Sequence, residues 1–138
     1  MSATTAILDF AAVDHVLSEA TKAAALSLLG DTLAGGAAGA MSAEAQVMLS
    51  AVRGWGHGND ARLLGLHDEL PGPSAAWFNG FAIHCLEWDA VHERAVVHAM
   101  SVVTAALLAA VDLKGGCDAD DFLTALCVGV DIASGMGV

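Results

Sequence analysis

Apolar residues recur at every third or fourth position along most of the chain, which is the spacing of one buried face of an α-helix. Alanine-rich stretches carry this pattern, and β-branched residues rarely alternate with polar ones, so few strands are expected. Helices are predicted over residues 7–16, 18–37, 42–52, 74–86, 98–113 and from residue 118 onward. The pattern predicts an all-α fold, a multi-helix bundle.

Capping residues and glycines mark where these helices begin and end. Ser18 and Asp118 are typical N-cap residues, and Gly115 with Gly116 closes the helix before them. The glycines at 35, 36 and 39 are expected to loosen the second helix. Residues 54–60 have the composition of a turn, and residues 61–66 are the only stretch expected to be extended.

The chain carries more apolar residues than a small domain can bury. Hydrophobic residues make up 56% of it and charged residues 15%, and the mean hydropathy is +0.61. A second copy of the chain, the remainder of a longer chain, or lipid could cover the surplus. Residues 136–138 continue an apolar pattern with no polar tail, so we expect the chain to be part of a larger fold.

Lipid is the weakest of these three explanations. The longest charge-free stretch, residues 95–111, has 17 residues, whereas a spanning helix needs about 20. No basic segment precedes an apolar one near the start, as a signal peptide requires. Cys85, Cys117 and Cys127 form no C-x-x-C pair and are read as reduced thiols. The sequence predicts a cytoplasmic protein with no membrane contact.

The charge balance excludes nucleic acid as a partner. Five Lys and Arg residues stand against 16 Asp and Glu residues, which gives a formal net charge of −11 with the histidines neutral. Phosphate contacts depend on basic side chains, and this chain has too few of them to form a basic patch.

Most of the polar chemistry is concentrated between two apolar helices, in His84, Glu87, Asp89, His92, Glu93, Arg94 and His98. Three interpretations remain open on composition and spacing alone. The segment could be a solvated loop. Imidazoles and carboxylates at three-residue spacing could also bind zinc or iron. A histidine beside a carboxylate is equally the usual arrangement of a metal-free acid/base site.

This segment resembles the MmgE/PrpD family, which includes 2-methylcitrate dehydratase, cis-aconitate decarboxylase and iminodisuccinate epimerase. The resemblance rests on A-W-F-N-G at 76–80, H-x-L-E-W-D-x-x-H at 84–92, and His98 before an alanine-rich helix. Shorter matches are D-T-L at 31–33, L-L-G at 63–65, and Gly115 followed by F-L-x-A at 122–125. Four positions depart from the family pattern: Glu87 replaces Asp, Ala90 replaces the second Asp, Val91 replaces Thr and Ala99 replaces Pro.

The resemblance implies that residues 1–138 form a single, partial helical domain, without the α/β lid domain that supplies lysines to the family's cleft. It implies proton abstraction next to a carboxylate of a small di- or tricarboxylic acid, with no metal and no cofactor, in a dimeric enzyme. Glu87, Asp89, His92 and His98 would be the catalytic residues. His84, Asn79 and Arg94 would be the substrate-binding residues.

The competing hypothesis is a non-catalytic helical module that covers its apolar faces by forming a homo-oligomer. Polycarboxylate substrates need cations to hold them, and Arg94 is the only cation near the cluster. We therefore expect this chain alone to have no turnover, with the positive charge supplied by the absent domain.

Overall fold

A computed structural model describes residues 2–138 of the chain. Its regular elements are the helices α1 (Ala3–Ala12), α2 (Glu19–Gly39), α3 (Ala43–Val52), α4 (Gly72–His84), α5 (Ala99–Lys114) and α6 (Ala119–Gly135), and the strands β1 (Ala61–Arg62) and β2 (Glu69–Leu70). The predicted all-α class is confirmed, since the only sheet in residues 2–138 is one short antiparallel hairpin of β1 and β2.

The helix starts follow the predicted capping chemistry. The side chains of Ser18, Ser42 and Asp118 each accept a hydrogen bond from a backbone N–H in the first turn of α2, α3 and α6 respectively. At the other end of α5, Gly115 adopts a left-handed conformation with φ of 81°. These termini are local features, which explains why the sequence predicted them.

The largest differences from the prediction concern three elements. The first helix lies four residues earlier, because Ser2 caps it and the helix ends at Ala12. Helix α2 continues through its glycines to Gly39. Of the stretch predicted as extended, only Ala61–Arg62 forms a strand, and its partner Glu69–Leu70 was not predicted.

Helix α4 lies at the centre of the fold and packs against α2, α3 and α5. Phe78 on this helix is completely buried. Small and aliphatic side chains surround it, in a core of Ala40, Ala45, Leu49, Val52, Ala61, Leu63, Leu70, Ala75, Ala82 and Ala109. The many alanines allow the helices to approach closely.

Gly39 marks the tightest of these helix contacts. A Cβ at this position would lie 1.9 Å from the carbonyl oxygen of Ala82 on α4. No side chain fits in that space, so only glycine lets the end of α2 meet α4 here. Ala82 lies two residues before the end of α4 at His84.

A large part of the apolar surplus stays on the surface. Exposed large side chains include Val47, Trp55, Trp77, Trp88, Val96 and Val102. Within residues 2–138, no helix combines the length and hydropathy that a membrane span requires.

Replacing Gly39 with alanine is expected to destabilise the fold. The added methyl group would force the backbones of α2 and α4 apart, at a cost of about 2–4 kcal/mol. Gly30→Ala is the matched control, because a Cβ at that position of α2 meets nothing within 4 Å and alanine favours a helix by about 0.5–1 kcal/mol over glycine. Thermal unfolding of the two variants should therefore shift in opposite directions. Equal shifts would contradict the close contact.

An ion pair on the surface should make stability depend on acid pH. The Arg62 side chain and its backbone N–H both donate hydrogen bonds to Asp112, and the guanidinium holds the pKa of that carboxyl below its ordinary value of 3.8. Because the pKa is lower in the folded state, the pair stabilises the fold above the unfolded-state pKa, and this contribution disappears as the pH falls through the folded-state pKa. Asp112→Asn should therefore be less stable than the parent at pH 7, and by a smaller margin at pH 3, in chemical denaturation at both pH values. A difference that is the same at both pH values would contradict this linkage.

Candidate active site

The end of α4 and the start of α5 bring two histidines to one place. His84 is the last residue of α4, and His98 is the N-cap of α5. The loop between them contributes Asp89. Two left-handed residues, Glu87 with φ of 53° and Val96 with φ of 50°, lie near the two ends of this loop. Residues 14 positions apart in the chain thus become neighbours.

Asp89 lies between the two imidazoles and contacts both. Its Oδ1 is 2.9 Å from Nδ1 of His84, and its Oδ2 is 3.1 Å from Nδ1 of His98. The two rings meet edge to face with their centroids 4.5 Å apart. Only the first contact has hydrogen-bond geometry, so Asp89 Oδ2 and His98 Nδ1 have no hydrogen-bond partner within residues 2–138. We call these three residues the His-Asp-His cluster.

The cluster is buried at its carboxylate and open at its imidazoles. The Asp89 side chain is 1% exposed, whereas those of His84 and His98 are 47% and 35% exposed. A neutral imidazole whose Nδ1–H donates a hydrogen bond to a carboxylate carries its lone pair on Nε2. The buried carboxylate therefore orients His84 by a hydrogen bond and lies 3.1 Å from Nδ1 of His98, which is an arrangement suited to proton transfer.

A cavity of about 170 Å³ lies beside the cluster, between α2 and the end of α4. Its charged lining residues are Asp31 and Asp89, together with Thr32, Ile83 and Trp88 among the neutral ones. The Thr32 hydroxyl donates a hydrogen bond to the carbonyl of Leu28. The polar groups of this cavity carry negative charge, so by themselves they repel an anionic ligand.

The family of the chain follows from a comparison over nearly its whole length. The family model described as the MmgE/PrpD N-terminal domain matches residues 6–137. The chain belongs to the MmgE/PrpD family. No curated protein and no solved structure compared with the chain matches it.

In this MmgE/PrpD domain, three of the predicted catalytic or binding residues come together: His84, Asp89 and His98. Sequence reasoning overlooked Asp31 as a neighbour of this group, although D-T-L at 31–33 was one of the matching segments. Asp31 lies more than 50 residues before Asp89 in the chain, so local spacing does not connect them. Asp31 and Asp89 both fall in segments that resemble the family, and this was the one indication in the sequence that they belong together.

Three other predicted residues are exposed on the loop of the MmgE/PrpD domain and do not join the cluster. The backbone N–H of Glu87 donates to the carbonyl of His84, but its carboxylate has no recorded partner within the described residues. His92 Nδ1 accepts a hydrogen bond from the backbone N–H of Ala95, which stabilises the turn between these two residues. Arg94 forms no ion pair within residues 2–138.

Asn79 binds the backbone of the β1 segment with its side chain. Its side chain is buried; its Oδ1 accepts from the backbone N–H of Leu64 at 2.8 Å, and its Nδ2 donates to the carbonyl of Arg62 at 3.0 Å. These two bonds attach the β1 segment to the middle of α4. They are the contacts of a structural residue, and the substrate contact of Asn79 stays a prediction.

Asn79→Ala should therefore lower stability. The substitution leaves a backbone donor and a backbone acceptor unpaired, at an expected cost of about 2–4 kcal/mol. Ser50→Ala is the control, because the Ser50 hydroxyl makes one exposed bond to the carbonyl of Gln46. The measurement is chemical denaturation, with hydrogen exchange at the Leu64 amide as a local readout. An Asn79→Ala variant as stable as the control, with Leu64 still protected, would contradict the structural role.

Proposed function

We propose that this chain is the N-terminal helical part of an enzyme that removes a proton next to a carboxylate of a small di- or tricarboxylic acid. Elimination, decarboxylation or reprotonation of the resulting carbanion would follow. Membership of the MmgE/PrpD family supports this reaction class. The observation that carries the proposal is the His-Asp-His cluster, in which one buried carboxylate contacts two half-exposed imidazoles.

His98 is the residue that we propose takes the proton. The Asp89 carboxylate lies 3.1 Å from Nδ1 of this ring and would stabilise the imidazolium that forms when Nε2 acts as the base. His84 Nδ1 contacts the other oxygen of Asp89. In its protonated form, the His84 ring would donate a hydrogen bond from Nε2 to the substrate or return a proton after the bond breaks. Each proton leaves carbon for an imidazole nitrogen and later leaves that nitrogen for the product or for solvent.

Glu87 and His92 take part at the rim of this site in our proposal. Both lie on the exposed loop that carries Asp89, and the Glu87 carboxylate is available for a ligand. The residue is longer by one methylene than the Asp of the family pattern, so its carboxylate reaches further from the backbone. Arg94 is the cation of this loop that could contact a carboxylate of the substrate.

The negative charge of the site requires cations from outside this chain. Asp31 and Asp89 both line the cavity, and the chain as a whole has a formal net charge of −11. A di- or tricarboxylate does not bind such a surface unless positive groups offset the repulsion. We therefore propose that lysines of a second domain complete the site, and that the 138-residue chain alone is inactive.

A non-catalytic oligomerisation module is the second candidate, and the apolar surface favours it. A groove of about 420 Å³ between α4 and α5 is lined by Met48, Trp77, Phe81 and Val102 among others. A soluble symmetric oligomer in analytical ultracentrifugation, without activity in any larger form of the protein, would support the module. Aggregation of the isolated chain would instead support an incomplete enzyme.

Exchange of substrate protons tests the proposed reaction directly. The product of the whole reading frame is incubated in D₂O with small di- and tricarboxylates, and loss of the C–H signal next to a carboxylate is followed by NMR. His98→Ala should slow exchange about 10²- to 10⁴-fold, and Asp89→Asn should slow it as well. His57→Ala, an exposed imidazole on the turn before β1, should leave the rate unchanged.

Two results would contradict parts of this proposal. Undiminished exchange in His98→Ala would show that His98 is not the base. Exchange catalysed by the purified 138-residue chain, and abolished there by His98→Ala, would show that no second domain is needed.

A further inference from the structure

The His-Asp-His cluster has the donor set of a site for a first-row divalent metal ion. One ligand atom each from His84, Asp89 and His98 lies within 4.8 Å of the others. Two imidazole nitrogens and a carboxylate oxygen are common ligands of Zn²⁺, and an open fourth position suits a site at a surface. This donor set occurs at the proposed acid/base site itself.

The distances within the cluster fit coordination to one ion after a small adjustment. Two ligands that are each about 2.1 Å from a tetrahedrally coordinated ion lie about 3.4 Å apart. The carboxylate–imidazole distances in the cluster are 2.9 and 3.1 Å. The ligand atoms of the three residues lie within 4.8 Å of one another. Two ligands of one ion lie at most about 4.2 Å apart, so the cluster is wider than this by up to about 0.6 Å. Binding of one ion therefore requires a movement of several tenths of an ångström, and the two half-exposed rings are less enclosed than the buried carboxylate.

The buried carboxylate also lacks a full complement of partners. Asp89 Oδ2 and His98 Nδ1 are both buried atoms without a hydrogen-bond partner within residues 2–138. Asp89 contacts the two imidazoles, and no Lys or Arg side chain among residues 2–138 pairs with it. A buried carboxylate without a compensating charge is costly, and a divalent cation would compensate it. The partly exposed rings leave an approach for the ion from solvent.

We propose that Zn²⁺ or a similar first-row divalent cation binds His84, Asp89 and His98 and thereby inhibits proton transfer. A neutral imidazole carries one ring proton. When the metal occupies Nδ1, that proton moves to Nε2, and the lone pair that would accept the substrate proton is lost. Metal binding rests on the geometry alone, whereas the inhibitory effect also rests on the proposed function.

Isothermal titration of the metal-stripped 138-residue chain with ZnCl₂ tests the binding. One ion per chain is expected, and Asp89→Asn and His84→Ala should each raise the Kd at least tenfold. His57→Ala is the matched control, since it removes an exposed imidazole outside the cluster, and its Kd should stay within twofold of the parent. Circular dichroism checks that each variant is folded.

Binding of Co²⁺ in place of Zn²⁺ shows whether the metal ion binds the cluster or one of the three cysteines. Co²⁺ bound to nitrogen and oxygen gives visible bands without the intense near-ultraviolet charge transfer of a Co²⁺–thiolate bond. No stoichiometric binding, a thiolate spectrum, or unchanged affinity in folded Asp89→Asn and His84→Ala would each overturn the site.

The proton-exchange assay on the product of the whole reading frame then tests inhibition. Zn²⁺ should suppress exchange, and EDTA should restore it. Binding to the cluster without suppression would overturn the inhibitory role. If the chain binds no metal but His98→Ala still slows exchange, the metal proposal fails and the proposed function stands.

Discussion

The close contact of α2 with α4 at Gly39 is the constraint on which the rest of the structure depends. Because the position has no Cβ, the carbonyl oxygen of Ala82 can approach the backbone of α2 directly. Helix α4 is thereby held in the centre of the bundle, with Phe78 completely buried. The end of this helix sets the location of His84, and with it one side of the His-Asp-His cluster. One side of the candidate site thus depends on a contact between two helix backbones.

A second feature of the structure is a buried carboxylate, Asp89, whose negative charge is not balanced by a Lys or Arg side chain of residues 2–138. Asp89 reaches the interior from a loop, and its nearest partners are imidazoles rather than Lys or Arg side chains. Such a site favours cationic groups and repels anionic ones.

The residues of the predicted site separate into groups that the sequence did not distinguish. His84, Asp89 and His98 meet, whereas Glu87, His92 and Arg94 stay on the exposed loop and Asn79 holds the β1 segment. Residue type and spacing show which side chains could do acid/base chemistry. They do not show that Asn79 points toward the backbone of Arg62 and Leu64, because that depends on a hairpin packed against α4 from outside the helix.

The sequence by itself determined the helical class, most helix boundaries, the family and the acidity of the site region. These properties depend on local periodicity, on caps such as Ser18 and Asp118, and on residue composition, all of which act over a few neighbouring residues. Only the tertiary structure decided that α2 continues through its glycines, that β1 finds a partner, and that Asp31 shares a cavity with Asp89. Those outcomes depend on contacts between residues far apart in the chain, whose energies exceed the weak local preferences.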